Sequence, residues 1–142
     1  MIVVPDSNIF ISQVIPLAYS EVATTKLHEW AGDIFELVVP TLWSYEVVST
    51  LRKAMTTGLL TQEQAEQGID ELLSFAIEEV HPTPALRKRT LDWAIALRQT
   101  VAYDAAFLAL AESVSAAFWT AERRLHNTCK QLKLYWVNGL TG

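Results

Sequence analysis

Short, uninterrupted apolar runs recur along the chain, separated by stretches with helical periodicity. Ile2–Pro5, Glu36–Val39, Ile77–Val80, Ser115–Trp119 and Leu134–Val137 all have strand length. Most are apolar throughout instead of alternating, as in parallel strands covered on both faces. Ser20–Ala31 reads as a helix. Trp43, Val47, Leu51 and Met55 form an i, i+4 stripe on the next one. Thr61 precedes "QEQAEQGIDELLSF", with Gln64 three residues on, which is a capping box. Thr83 precedes Pro84 at the first helical position of "PALRKRTLDWAIALRQ". "YDAAFLALAE" and a short "TAERRLHNTCKQL" complete the helical set. This alternation predicts an α/β fold, a three-layer α/β/α sandwich with a mostly parallel sheet and right-handed crossovers. In such sheets functional groups gather beyond the carboxyl ends of the strands.

The opening "MIVVPDSNIF" is then informative, because Asp6 sits where the first strand ends. One reading is local: Asp6, Ser7 or Asn8 caps the helix that follows. Three further carboxylates occupy comparable places. Glu46 lies about one turn into the helix after the second strand, Asp104 opens "YDAAFLALAE", and Glu122 follows Ser115–Trp119. Each has a local role open to it as well. Asp104 would serve as an N-cap, Glu122 as a dipole partner behind a Thr120 cap, and Glu46 as a surface partner of Arg52 or Lys53. A helix N-terminus favours an anion by ~0.3–1 kcal/mol. Taken together, four carboxylates at one edge of a sheet would repel one another and raise some of their pKa values. Hard cations such as Mg²⁺ or Mn²⁺ prefer carboxylate oxygens and water, and would remove that repulsion. An ion held in this way can activate water and neutralise a phosphodiester.

Composition narrows the setting. The 142 residues suit one domain over 1–142, and 51% hydrophobic against 19% charged indicates a globular chain. No apolar run approaches the ~20 residues that span a bilayer, so no membrane segment is expected. Met1 leads into strand-like sequence without a basic region, so no signal peptide is expected. Cys129 is alone, which excludes a disulfide framework and a cysteine zinc site. A cytoplasmic location follows as an expectation. A net charge of −5 argues against a protein that coats nucleic acid through a broad basic surface. It leaves room for local binding assisted by metal ions. Arg52, Lys53, Arg123 and Arg124 adjoin the candidate acids and are the candidates for holding a phosphodiester backbone, with solvated helix faces as the alternative. His28, His81 and His126 lack metal-ligand spacing. Five Trp, four Tyr and five Phe supply core, with some available to a partner surface.

"VPDSNIF", "SYEVVSTLRK", "AYDAAFLALAE" and "WTAERRL", in this order and at these separations, resemble the PIN-domain family. Within it they resemble the VapC-type ribonuclease toxins of prokaryotic toxin–antitoxin pairs. The resemblance covers nearly the whole chain. It implies a four- to five-stranded parallel sheet between helices, an acidic Mg²⁺/Mn²⁺ site and endonucleolytic cleavage of single-stranded or structured RNA. It also implies a homodimer and a small antitoxin whose tail brings a basic residue into the acidic site. By position, Asp6, Glu46 and Asp104 match the family's three main acids. Ser7 and Asn8 match the small polar residues after the first acid, and Thr120 the hydroxyl residue before the last. Glu122 stands where the family usually has Asp. Being one methylene longer, it would hold the metal directly, through water, or from behind another ligand. A haloacid-dehalogenase-type phosphatase also puts Asp after its first strand, but wants a second Asp where Asn8 stands and Thr where Phe10 stands. No Gly-rich phosphate loop or nucleophile elbow is present. A non-catalytic PIN-fold binding protein and a metal-dependent phosphatase remain the alternatives to the nuclease.

Overall fold

The computed structural model describes residues 1–141. In chain order its elements are β1 (Ile2–Pro5), α1 (Ser7–Ile11), α2 (Ser20–Trp30), β2 (Glu36–Pro40), α3 (Leu42–Thr56), α4 (Gln62–Leu73) and β3 (Ile77–Val80). They continue with α5 (Pro84–Ala96), α6 (Tyr103–Ser113), β4 (Ala117–Thr120), α7 (Arg123–Gln131) and β5 (Val137–Gly139). Every strand pairing is parallel, in the order β3-β2-β1-β4-β5. The expected parallel α/β sandwich is therefore the observed fold.

β1 is central. Val3 pairs in register with Leu37 of β2 and Ala117 of β4, and Val3 and Val4 are almost fully buried. Both β1 and β2 read "VVP" at their ends. A proline has no N–H to extend a ladder, so each strand stops there and turns into a helix. From β1 the chain moves outward to β3, then returns past β1 to β4. Right-handed crossovers accordingly put α1–α4 on one face of the sheet and α5–α7 on the other. Side chains follow: Phe10 of α1 meets Trp43 of α3 edge-on at 5.3 Å, and Phe107 of α6 meets Phe118 of β4 at 6.2 Å. The reversal between β1 and β4 is the switch point at which open parallel sheets form a crevice.

Helix signals read from the sequence appear at several ends. Thr61 and Gln64 make the reciprocal capping box, and Thr83 accepts the Leu86 N–H in front of Pro84. Three expectations are corrected. β4 covers Ala117–Thr120, not Ser115–Trp119, because Ser115 is left-handed (φ 53°) and closes α6. β5 covers Val137–Gly139, not Leu134–Val137, because Lys133 (φ 60°) and Leu134 still belong to the end of α7. α7 starts at Arg123, so Thr120 ends a strand and caps no helix. β3 also departs from the apolar pattern. It is an edge strand, and its Glu78 and Glu79 are exposed, as suits an edge that must resist pairing with another chain.

Candidate active site

Asp6 leaves β1 at the switch point and is held from several sides. Its backbone N–H donates to the Trp119 carbonyl at 2.9 Å, which fixes it against β4. Oδ1 accepts the Ile9 N–H at 3.2 Å, so Asp6 does cap α1. Oδ2 accepts the Thr120 hydroxyl at 2.5 Å and the Ala121 N–H at 3.2 Å. Burial nonetheless pushes the carboxyl up to about 7, and the charge of Asp104 adds to the effect against these three donors. A carboxylate this well hydrogen-bonded yet raised lacks a counter-charge.

The other acids stand around Asp104. Glu46 lies on α3, and its Oε1 accepts the Ser7 hydroxyl at 2.8 Å. Burial raises the Glu46 pKa, and Asp104 raises it further against that hydrogen bond. Glu122 is exposed and raised by partial burial and by Asp104, with Arg124 opposing. Asp104 itself lies in the first turn of α6, where helix N–H groups favour an anion. Its Oδ2 accepts the Gln99 side-chain amide at 2.9 Å. The charge of Asp104 thus reaches Asp6, Glu46 and Glu122 alike. Among the described residues, no lysine or arginine forms an ion pair with any of the four.

Several local roles are revised. Ser7 bonds Glu46 and not the neighbouring Asp6, while the exposed Asn8 offers only its carbonyl to the Tyr19 hydroxyl, at 3.5 Å. Asp104 is no N-cap, since Ala102 holds that position. Glu122 is itself at the N-cap of α7, makes no side-chain cap, and donates its N–H to Thr120 Oγ1 at 3.0 Å. Thr120 is therefore a bridge between the first and last acids: it donates to one side chain and accepts from the other's backbone. Lys53 shares a groove with Glu46. Arg52 points into a different groove, between α3 and α4, beside Gln62 and Glu66. Arg124 acts electrostatically on Glu122, and Arg123 is exposed at the start of α7.

Two nearby residues carry no signal in the sequence. Gln99 reaches Asp104 because Arg98 (φ 56°) turns the chain sharply at the end of α5; its Oε1 is buried without a partner. Tyr19 is pushed up to about 12 by burial and by the charge of Asp6. Neither the spacing nor the neighbours of these residues announce the contact.

The donor set is all oxygen, with excess negative charge, and suits a hard divalent cation. Among the described residues, no three His, Cys, Asp or Glu side chains close directly round one point. Mg²⁺ does not require that, because it commonly keeps several waters and takes one or two protein carboxylates. The residues fit such an ion held partly through water.

The PIN domain family model matches residues 3–131. Ribonuclease VapC3 of Pyrobaculum aerophilum is 36% identical over 92 residues, covering 63% of this chain and 69% of that protein. Among solved structures, VapBC2 from Rickettsia felis bound to a DNA fragment from their promoter superposes with a TM-score of 0.68. It is 14% identical and covers 98% of this chain and 97% of its own. VapC20 of Mycobacterium tuberculosis, described as a sarcin-ricin-loop-cleaving toxin, has a TM-score of 0.62 at 15% identity, covering 84% of this chain and 87% of its own.

Proposed function

The chain belongs to the PIN-domain family, and on that premise we propose that it is a metal-dependent endoribonuclease acting as the toxin of a toxin–antitoxin pair. The observation that carries the reading is that Asp6, Glu46 and Glu122 are all raised in pKa by burial and by the charge of Asp104, while among the described residues none of the four forms an ion pair with a lysine or arginine. A fold that needed only stability would not collect uncompensated charge in this way. The identity to a protein named as a ribonuclease supports RNA as substrate. Neighbours solved as toxin–antitoxin complexes support a small antitoxin partner. The absence of any helix long and apolar enough to cross a membrane, among the described residues, is compatible with a cytoplasmic site of action.

In this reading Asp6 and Asp104 anchor Mg²⁺ or Mn²⁺, with Glu46 and Glu122 assisting. When bound, the ion supplies positive charge for the transition state and lowers the pKa of attacking water. The chain's own residues supply position. Thr120 and the Ala121 N–H clamp Oδ2 of Asp6. Ser7 orients Glu46, and Gln99 orients Asp104, each by one hydrogen bond. Fixed donors of this kind cost no reorganisation during reaction. Lys53, Arg123 and Arg124 are the basic residues proposed to hold phosphates, while Arg52 lines a different groove, between α3 and α4. The test is cleavage of total RNA by purified protein in Mn²⁺ and in excess EDTA. Cleavage in Mn²⁺ alone supports the reading, and undiminished cleavage in EDTA refutes it.

A further inference from the structure

A groove runs between α3 and the start of α6, and Glu46 forms part of its wall. Tyr45 lines it from α3 and Tyr103 from α6, and the two residues are 74% and 54% exposed. Lys53 stands further along the α3 side, and Leu42 lines the same groove. A single exposed aromatic is ordinary. Here two share one concave surface with a site acid, and each immediately precedes an acid in the chain: Tyr45–Glu46 and Tyr103–Asp104. The fold that positions the carboxylates therefore positions the rings. Neither ring is needed for the core, and neither hydroxyl has a hydrogen-bond partner on the protein among the described contacts.

Aromatic faces beside a cation are the usual means of holding an unpaired nucleotide, since every base has a π-face and every phosphate a charge. In a duplex the bases are already stacked and give such rings nothing to hold. We propose that this groove is a stacking subsite for an unpaired nucleotide next to the cleaved bond, with Tyr45 and Tyr103 against the base and Lys53 on the phosphate. The proposal rests on the ribonuclease reading and adds to it the residues of this chain that would hold an unpaired strand, Tyr45, Tyr103 and Lys53.

The experiment measures binding of a fluorescein-labelled, mixed-sequence single-stranded RNA, and of the corresponding duplex, by anisotropy across a salt series. The full-length Asp6→Asn protein serves as background so that the probe is not cut. Tyr45→Ala and Tyr103→Ala are each expected to weaken single-strand binding about tenfold, with duplex binding unchanged. Tyr→Phe at either position should restore it. The slope of log affinity against log salt should be unchanged by the tyrosine variants, whereas Lys53→Ala should reduce it by about one. A merely structural role would lower the Tm and affect both probes; these exposed positions should leave the Tm alone. Alanine variants that bind the single strand as the background does, or that lose duplex binding equally, overturn the subsite. So does loss of a protein partner with RNA binding intact. Wild-type cleavage of the same strand in Mn²⁺ is scored separately: if it occurs while the alanine variants keep the wild-type KM, only the subsite fails. If it never occurs, the ribonuclease reading fails.

Discussion

Replacing Asp6 by asparagine in the metal-free protein should flatten the dependence of stability on pH. The Asp6 carboxyl stands at about 7 in the fold against 3.8 unperturbed. Between those values the folded protein keeps a proton that the unfolded chain has released. Stability therefore falls as pH rises through this window, and the loss is complete above about pH 7. Roughly three pH units at ~1.4 kcal/mol each set a ceiling of ~4 kcal/mol. Asp6 is partly exposed, and screening lowers the expected loss to roughly 2–3 kcal/mol. Asparagine has no such proton. It turns an amide N–H₂ toward a backbone donor at Ile9 or Ala121, at a cost of about 1 kcal/mol that does not vary with pH. Urea denaturation in EDTA at pH 5 and pH 8 reads both effects. Because pH 5 already lies about one unit above the unperturbed value, this range covers about two of the three pH units, and wild type should lose roughly 1–2 kcal/mol more than Asp6→Asn on going to pH 8. Parallel losses in the two proteins would refute the raised pKa, and with it the argument that the site lacks a counter-charge.

Thr120→Val keeps volume and removes the hydroxyl that joins Asp6 to Glu122. A hydrogen bond to a charged group contributes ~1.5–3 kcal/mol, so the pH–rate profile of cleavage should move about one pH unit to the alkaline side. Ser115→Gly should stabilise the protein by about 1 kcal/mol in urea titrations, because it relieves a left-handed serine at the end of α6. Reversing the charge of Arg123 and Arg124 should weaken RNA binding and flatten its salt dependence, measured by anisotropy; unchanged binding removes both from the site.

The centre of the fold was legible because its signals are local. "IVVP" and "LVVP" are short buried runs that end on proline, and the residue after the first is an acid. The capping box at Thr61 and the Thr83–Pro84 start are likewise written in neighbouring residues. The misplaced strands have one cause. α5, α6 and α7 each end with a left-handed residue followed by an N–H that reaches back five positions: Gln99 to Ala94, Ala116 to Ala111, and Leu134 to Cys129. This is the closure that glycine commonly marks. Here arginine, serine and lysine hold those positions, so nothing in the sequence separates the end of α6 from β4 or the end of α7 from β5. After α3, where Gly58 takes the same place, no such error arose. Within the candidate site, the sequence points to the four acids as candidates but says nothing of their hydrogen-bond partners. Ser7 is adjacent to Asp6 in the chain and bonds Glu46, 39 residues away. Thr120 meets Asp6 across 114 residues. Such contacts belong to the sheet order, which no local pattern states.

The central claim is that these carboxylates, with a divalent cation, hydrolyse RNA. Its most direct measurement sets wild type beside Asp6→Asn on RNA in Mn²⁺ and identifies the ends of the products. The account predicts cleavage by wild type with 5′-phosphate and 3′-hydroxyl ends, as attack by water requires, and none by the folded variant. Equal cleavage by Asp6→Asn, or products ending in a 2′,3′-cyclic phosphate, would contradict it.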